Sequence, residues 1–385
     1  MPAALTAALA ERLADPRLAG TVVGASAWVE GFGEVLATNA DVPLLPASNQ
    51  KLYTAIGALA VLGPEATLRT EVRATGDVID GTLAGDLVLA GSGDPTLTSR
   101  GAHGLDELAA AVRARGVERL TGGLVVDGSR FDARLGAVGW FDWHVPGYVP
   151  PITALVVDGN RSRRDPAYLA DPSLGNLALF REALRRAGVV VDGPDSTDGP
   201  GAGGEVVATT ASPSVGELVT RMLLESDNLT AEVLLRATGA AVDGTGTWAA
   251  GTAAGDDALA RLCVVPQGNN YDSSGLSRLD RRSAREWRRM LQVAARQPWG
   301  PLLEAALPVA GRTGTLQRRF LSTPAAGNVR AKTGWILEGR ALSGYLTTAG
   351  GRRGIFSVVV NGTTPDAPVA AAIDDLVVTL ASHEG

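Results

Sequence analysis

The chain has 385 residues, 45% of them hydrophobic, with a net charge of −6 and a pI near 5.3. That length predicts two or three domains at roughly 150 residues each. The acidity, with no basic stripe and no interleaving of aromatic and basic residues, argues against nucleic acid as a partner. One cysteine, Cys263, excludes an internal disulfide and a cysteine metal cluster, and reads as a buried small hydrophobe. His103, His144 and His383 are far apart and lack ligand spacing, so no metal or other cofactor is expected.

The first helix is predicted over 5–14. The stretch from Met1 to Gly20 is not a signal peptide, because it lacks a positive start and Glu11, Arg12 and Asp15 interrupt its apolar run. The signal of an exported protein would lie upstream or have been removed. No run of about 18 apolar residues is present, so no transmembrane helix is expected. Strands follow over 21–29 and 34–38, joined at Gly31-Phe32-Gly33. The stretch Pro46-Ala47-Ser48-Asn49-Gln50-Lys51-Leu52-Tyr53 then opens a helix that ends at Gly63-Pro64.

From about Ala66 the texture changes to short β runs over 68–74, 78–79 and 83–89, separated by glycine-rich turns. A helix over 105–115, a strand over 123–127, an aromatic and Pro-rich stretch from Trp140 to Pro151 and a helix over 174–187 come next. The segment 192–204, rich in Gly, Pro, Asp and Ser, reads as a surface loop or boundary. Helices over 214–225 and 228–237 are broken at Ser226-Asp227. A helix over 281–295 carries Trp287, Leu291 and Ala294 near helical spacing. Strands over 329–333, 342–348 and 355–361, the last two joined at Gly350-Gly351, precede a final helix over 368–381. Both ends therefore share one α+β pattern around a different middle. This predicts a core built from residues 1–65 and 210–385, with 66–209 inserted.

The basic residues are unevenly chosen. Of 35, only Lys51 and Lys332 are lysines. Arg stays charged, whereas a buried lysine can lose its proton, so lysines kept in an arginine-rich chain mark places that need an amine. Ser48 and Lys51 are one helical turn apart, which sets a nucleophile beside a base. Two further short motifs stand far away: Ser226-Asp227-Asn228 in a helix break, and Lys332-Thr333-Gly334 at the end of a predicted strand. Each is weak alone; the ordered set Ser-x-x-Lys, Ser-Asp-Asn, Lys-Thr-Gly is specific and uses both lysines. No Gly-x-Ser-x-Gly elbow is present, and Gln50 and Ala331 stand where a phosphate-binding loop needs Gly before its Lys.

With these motifs the sequence resembles, over nearly its whole length, the D-alanyl-D-alanine carboxypeptidase/endopeptidase family of class C penicillin-binding proteins, serine peptidase family S13. LVLAGSGDPTL (87–97), YDSSGLSR (271–278), LPVAGRTGTLQRRF (307–320) and ALSGY (341–345) add to the resemblance. It implies a β-lactamase/transpeptidase-like domain of antiparallel sheet and helices, with an insertion between the first and second motifs. It also implies peptidoglycan stem peptides as substrate, β-lactams as covalent inhibitors and an extracytoplasmic location. Ser48 would be the nucleophile and Lys51 the general base, its pKa lowered by Lys332. Ser226 would relay a proton, Asn228 would hold the substrate amide and orient Lys51, and Lys332 with Thr333 would take the terminal carboxylate. Gly334 completes the third motif, and the backbone N–H groups of Ser48 and Trp335 would form the oxyanion hole. Tyr148, Trp140, Ser274 and Leu276 are candidate cleft-lining residues or packing residues.

Two features depart from this pattern or imitate it. Trp335 stands where the resemblance leads one to expect a small hydroxyl residue. Arg312-Thr313-Gly314 imitates the third motif and reads as a structural turn; Asp94 likewise reads as a turn former. A β-lactamase of the same superfamily and a non-catalytic wall-binding protein are the competing functions. No Glu-x-x-Leu-Asn segment favours the first, and the intact motif set argues against the second.

Overall fold

The computed structural model describes residues 3–161, 168–169, 171–197, 203–364 and 368–384. In chain order, helix α1 (Ala3–Leu13) leads to β1 (Val22–Val29) and β2 (Gly33–Thr38), and a 3₁₀ turn at Ala47–Asn49 opens α2 (Gln50–Val61). The middle of the chain holds β3 (Arg69–Ala74), β4 (Val78–Ile79), β5 (Thr82–Leu83), β6 (Leu87–Ala90), α3 (Leu105–Ala114), β7 (Arg119–Leu120) and β8 (Leu124–Asp127). It continues with α4 (His144–Gly147), α5 (Pro172–Arg186), β9 (Val190–Val191) and β10 (Glu205–Ala211). The last part holds α6 (Val215–Glu225), α7 (Asn228–Asp243), α8 (Trp248–Arg261), α9 (Ala284–Ala294), α10 (Gly300–Ala305), β11 (Arg330–Ile336), β12 (Gly339–Thr347), β13 (Arg353–Asn361) and α11 (Val369–Ala381).

The central sheet has the order β11-β12-β13-β1-β2, all antiparallel, so strands from both ends of the chain pair directly. Such a sheet buries both faces only if helices cover both. Leu5 and Leu9 of α1 and Ile373, Leu376 and Leu380 of α11 fill one face. On the other face, Ala341, Tyr345, Ile355 and Val359 meet α9 and the cluster around α2, α6 and α7. Helix α2 is apolar nearly all round and buried from Gln50 to Leu59, as a helix enclosed by others must be.

Residues 69–211 form two further sheets, β10-β3-β6-β8 and β4-β5-β7-β9, packed on α3 and α5 through a separate core that includes Leu89, Leu108, Phe180 and Leu184. Strand β10 has no counterpart in the sequence reading. It pairs with β3 and runs to Ala211, past position 209. Residues 198–202 of the expected 192–204 loop lie outside the described residues.

Other elements differ from expectation for identifiable reasons. Helix α8 is rich in Ala and Gly and shows little apolar contrast, so its pattern did not register. Helix α9 starts at Ala284 because Ser283 caps it, accepting from the Glu286 N–H at 3.2 Å, while Arg282 is held in a β-bridge with Leu44. Strand β11 runs past 333 to Ile336, so Lys332-Thr333-Gly334 lies in mid-strand rather than at a strand end. Cys263 is exposed rather than buried, because it sits in a left-handed turn (φ 61°) just after α8. No helix among the described residues is long and apolar enough to cross a membrane.

Candidate active site

The three motifs meet where the α2 turn, the α6–α7 break and edge strand β11 converge. The turn carrying Ser48 is clamped on two sides by backbone. A Cβ on Gly334 would stand 2.7 Å from the carbonyl oxygen of Pro46. Gly275 has φ +83°, and a Cβ there would stand 1.8 Å from the Ala47 oxygen. Only glycine permits both approaches. Ala47 itself has φ +49°, a conformation that non-glycine residues adopt at a cost. Asn49 anchors the turn to the sheet, donating to Ser343 Oγ at 2.6 Å, which in turn donates to Ser357 Oγ at 2.8 Å.

Lys51 is fully buried. Its Nζ donates to Asn228 Oδ1 at 2.7 Å and to the Ser274 carbonyl at 2.8 Å, and lies 3.1 Å from Ser48 Oγ. The first two partners can only accept. A neutral amine has two N–H bonds and one lone pair, so spending both N–H bonds there leaves the lone pair facing the Ser48 hydroxyl. Burial pulls the Lys51 pKa down to about 8, opposed by the charges of Asp272, Glu232 and Asp227.

Ser226 is the left-handed residue (φ 59°) that ends α6, and Asp227 caps α7 by accepting the Thr230 N–H at 2.6 Å. This break in the helices turns Ser226 and Asn228 into the cleft. Ser226 Oγ accepts from Lys332 Nζ at 3.0 Å, and Lys332 also donates to the Thr333 carbonyl at 3.0 Å. The site thus contains two Ser–Lys pairs. Lys332 is fully buried, and its pKa is driven well below the ordinary value by burial first and then by the Lys51 charge. The sequence expectation had Lys332 lowering Lys51; burial is the main cause at Lys51.

Ser48, Ser226, Asn228, Thr333 and Trp335 line one cavity of about 310 Å³, together with Tyr148 and Leu276. Tyr148 and Trp335 are each 53% exposed and form its aromatic rims. The Arg340 guanidinium lies 4.9 Å over the Trp335 ring. Asn228 Nδ2 donates to the Tyr148 carbonyl at 3.1 Å, tying the middle segment to the site.

Two of the candidate lining residues do not face the cavity. Ser274 is buried, and it is its backbone carbonyl that reaches the site, on Lys51. Trp140 points its Nε1 at Asp272 Oδ2, 2.7 Å away, behind the cavity wall. Asp94 accepts from the Thr96 N–H at 2.8 Å inside its turn, away from this cavity. Thr313 of the imitating tripeptide accepts from the Val309 N–H at 2.9 Å, as a turn residue.

Sequence reasoning missed Thr315, whose Oγ1 accepts from Thr333 Oγ1 at 2.8 Å, and the wall formed by Trp143, His144, Arg278, Ile336 and Leu337. It also missed Glu232 and Asp272 behind Lys51. An acid one turn after Asn228 on a buried helix was the available signal for Glu232; YDSSGLSR contained Asp272 but did not show where the loop would fold. Among the described residues, no group of three or more His, Cys, Asp or Glu is disposed to hold a metal.

Known proteins resemble the chain along most of its length. At 32% identity, the D-alanyl-D-alanine carboxypeptidase of Actinomadura sp. (strain R39) aligns with 97% of the chain and 84% of its own length. Carboxypeptidase DacB of Mycolicibacterium smegmatis is also 32% identical, over 98% of the chain and 84% of its length. The crystal structure of penicillin binding protein 4 (dacB) from Haemophilus influenzae superimposes with a TM-score of 0.87, covering 97% of the chain and 99% of that structure at 23% identity. The fold is therefore the α+β fold of that penicillin-binding protein. The model of the D-Ala-D-Ala carboxypeptidase 3 (S13) family matches residues 5–167 and 167–383, on both sides of the middle segment and through it, and the chain belongs to that family.

Proposed function

We infer that the chain is a serine DD-peptidase that hydrolyses the D-Ala-D-Ala end of peptidoglycan stem peptides through an acyl-enzyme on Ser48. The observation that carries this reading is the setting of Lys51 Nζ, whose two acceptor-only partners leave Ser48 Oγ, 3.1 Å away, to face the lone pair of the neutral amine. Lys51 takes the Ser48 proton as Oγ attacks the carbonyl of the penultimate D-alanine. Backbone N–H groups of Ser48 and Trp335 face the developing oxyanion. The C–N bond then breaks, the departing amine takes up a proton through Ser226, and water releases the acyl group to regenerate Ser48. Lys332 and Thr333 receive the terminal carboxylate. That anion favours the charged form of Lys332, which burial disfavours.

The same chemistry on a D-alanine bonded to a neighbouring stem peptide is endopeptidase activity, and we place it within the range of this site. In this reading, 1–65 and 210–385 form the peptidase domain, 66–209 is an accessory domain that contributes Tyr148 to the cleft rim, and the protein works on the outer side of the cytoplasmic membrane.

Fluorescent penicillin tests the reading. Wild type is expected to be labelled and Ser48→Ala not; undiminished labelling of Ser48→Ala would sink it. Deacylation over hours rather than milliseconds separates the peptidase from a β-lactamase. Mass spectrometry of digested peptidoglycan reads released D-alanine against cleaved cross-links.

A further inference from the structure

Behind Lys51 lies a loop, 271–280, buried from Asp272 to Ser277, whose backbone is held by carboxylates. Asp272 Oδ1 accepts the Gly275 N–H at 2.8 Å. The carbonyl of that same peptide unit, Ser274 O, accepts Lys51 Nζ at 2.8 Å. In a trans peptide the N–H and C=O point in opposite directions, so carboxylate, amide and amine are joined in one line. Asp272 Oδ2 accepts from the Ser277 N–H and from Trp140 Nε1, each at 2.7 Å. These three N–H donors suit an acceptor-only group.

We propose that Asp272 is a positioning residue that sets the proton affinity of Lys51 through the single peptide unit Ser274–Gly275. The inference rests on the reading that Lys51 takes the Ser48 proton. A carboxylate bonded to one end of an amide polarises it, so the carbonyl at the other end becomes a stronger acceptor. That favours the charged amine and opposes burial. Burial without that opposition would lower the proton affinity of Lys51 further and make it a weaker proton acceptor. With Asp272 in place both forms are accessible, which a general base requires. The carbonyl also fixes one N–H of Lys51, and so the direction of its lone pair.

The other ionisable groups around Lys51 play different parts. Glu232 of α7 accepts the Ser274 N–H at 2.8 Å and Trp248 Nε1 at 2.7 Å, holding the loop from its other side. Burial and the Asp272 charge push its pKa up to about 7. Asp280 accepts the Tyr271 N–H at 2.8 Å, and burial with the Asp272 charge raises its pKa strongly. Asp227, from the start of α7, adds a charge that favours protonated Lys51. Lys332 faces from β11, and the Asp256–Arg282 pair lies beyond Gln50 and Asn270. Of these, only Asp272 reaches a peptide whose carbonyl touches Lys51.

The chain has two lysines, so lysine-selective ¹³C labelling gives two signals, and Lys332→Arg assigns them. The Lys51 midpoint is then read by NMR against pH, with penicillin acylation measured over the same range. Asp272→Asn is expected to lower the midpoint and the acid limb of acylation by about half a pH unit or more. Trp140→Phe removes one donor from Asp272 Oδ2, concentrates charge on the peptide and moves the midpoint up by a smaller step. An unmoved Lys51 midpoint in folded Asp272→Asn protein overturns the assignment. Where that variant does not fold, an unmoved midpoint in Trp140→Phe does so. Absence of labelling in wild type would instead count against the peptidase reading, on which the NMR midpoint does not depend.

Discussion

The cleft holds two Ser–Lys pairs, each with a buried lysine, built on opposite plans. Lys51 sits on α2 among acceptors, with Asn228 Oδ1, the Ser274 carbonyl and Ser48 around it and the charges of Asp272, Glu232 and Asp227 behind. Lys332 sits on edge strand β11 with Ser226 and its neighbour's carbonyl as hydrogen-bond partners, and the like charge of Lys51 acts on it. A buried ammonium without a counter-ion is costly. At Lys51 the protein supplies the opposing charges itself, which suits the proposed base, whose proton must come and go. At Lys332 the proposed substrate carboxylate would supply the opposing charge. In the proposed mechanism two identical side chains thus take different tasks from what surrounds them.

Lys51→Arg should give the largest break between the two. Arginine cannot release its proton, so penicillin acylation should fall by about 10²–10⁴-fold, while Lys332→Arg retains measurable labelling. Comparable loss in both variants would erase the contrast. Gly275→Ala comes next. The added Cβ meets the Ala47 oxygen, so denaturant unfolding should show a loss of about 2–4 kcal/mol, and labelling of Ser48 should slow in the folded fraction.

The pH dependence sharpens the same contrast. Lys51 must be neutral to act, so acylation should rise as pH rises through about 8, falling roughly tenfold per pH unit below it. If Lys332 holds the carboxylate as proposed, it must be charged, and its lowered pKa should add a falling alkaline limb for peptides ending in a carboxylate. A substrate analogue amidated at that end should lack the limb. The smallest effect is expected at the rim. Trp335→Thr adds a hydroxyl where the carboxylate docks, worth about 1 kcal/mol or some fivefold in kcat/KM, with no change in the acid limb that belongs to Lys51.

Much of the site was legible because chemistry restricts residue type. The preference for Arg elsewhere made Lys51 and Lys332 conspicuous, and the helix break at Ser226-Asp227 was visible from the flanking apolar periodicity. The cleft walls were not legible. Leu276 and Tyr148 line the cavity while Ser274 and Trp140 turn away, and loop residues carry no period from which a facing direction can be read. Strand β10 went unseen because its pairing partner, not its own pattern, defines it, and helix α8 because its Ala- and Gly-rich sequence shows little apolar contrast.

The sequence by itself determined which residues could do the chemistry, since a serine, an amine that can lose its proton and an amide are not interchangeable with their neighbours. It also showed that both ends of the chain share one pattern. Only the tertiary structure decided which lysine meets which serine, that Gly275 and Gly334 press on the nucleophile's turn, and that a carboxylate reaches Lys51 through a peptide bond. Those depend on distances of about 3 Å between residues far apart in the chain, and a hydrogen bond exists only at that range and alignment.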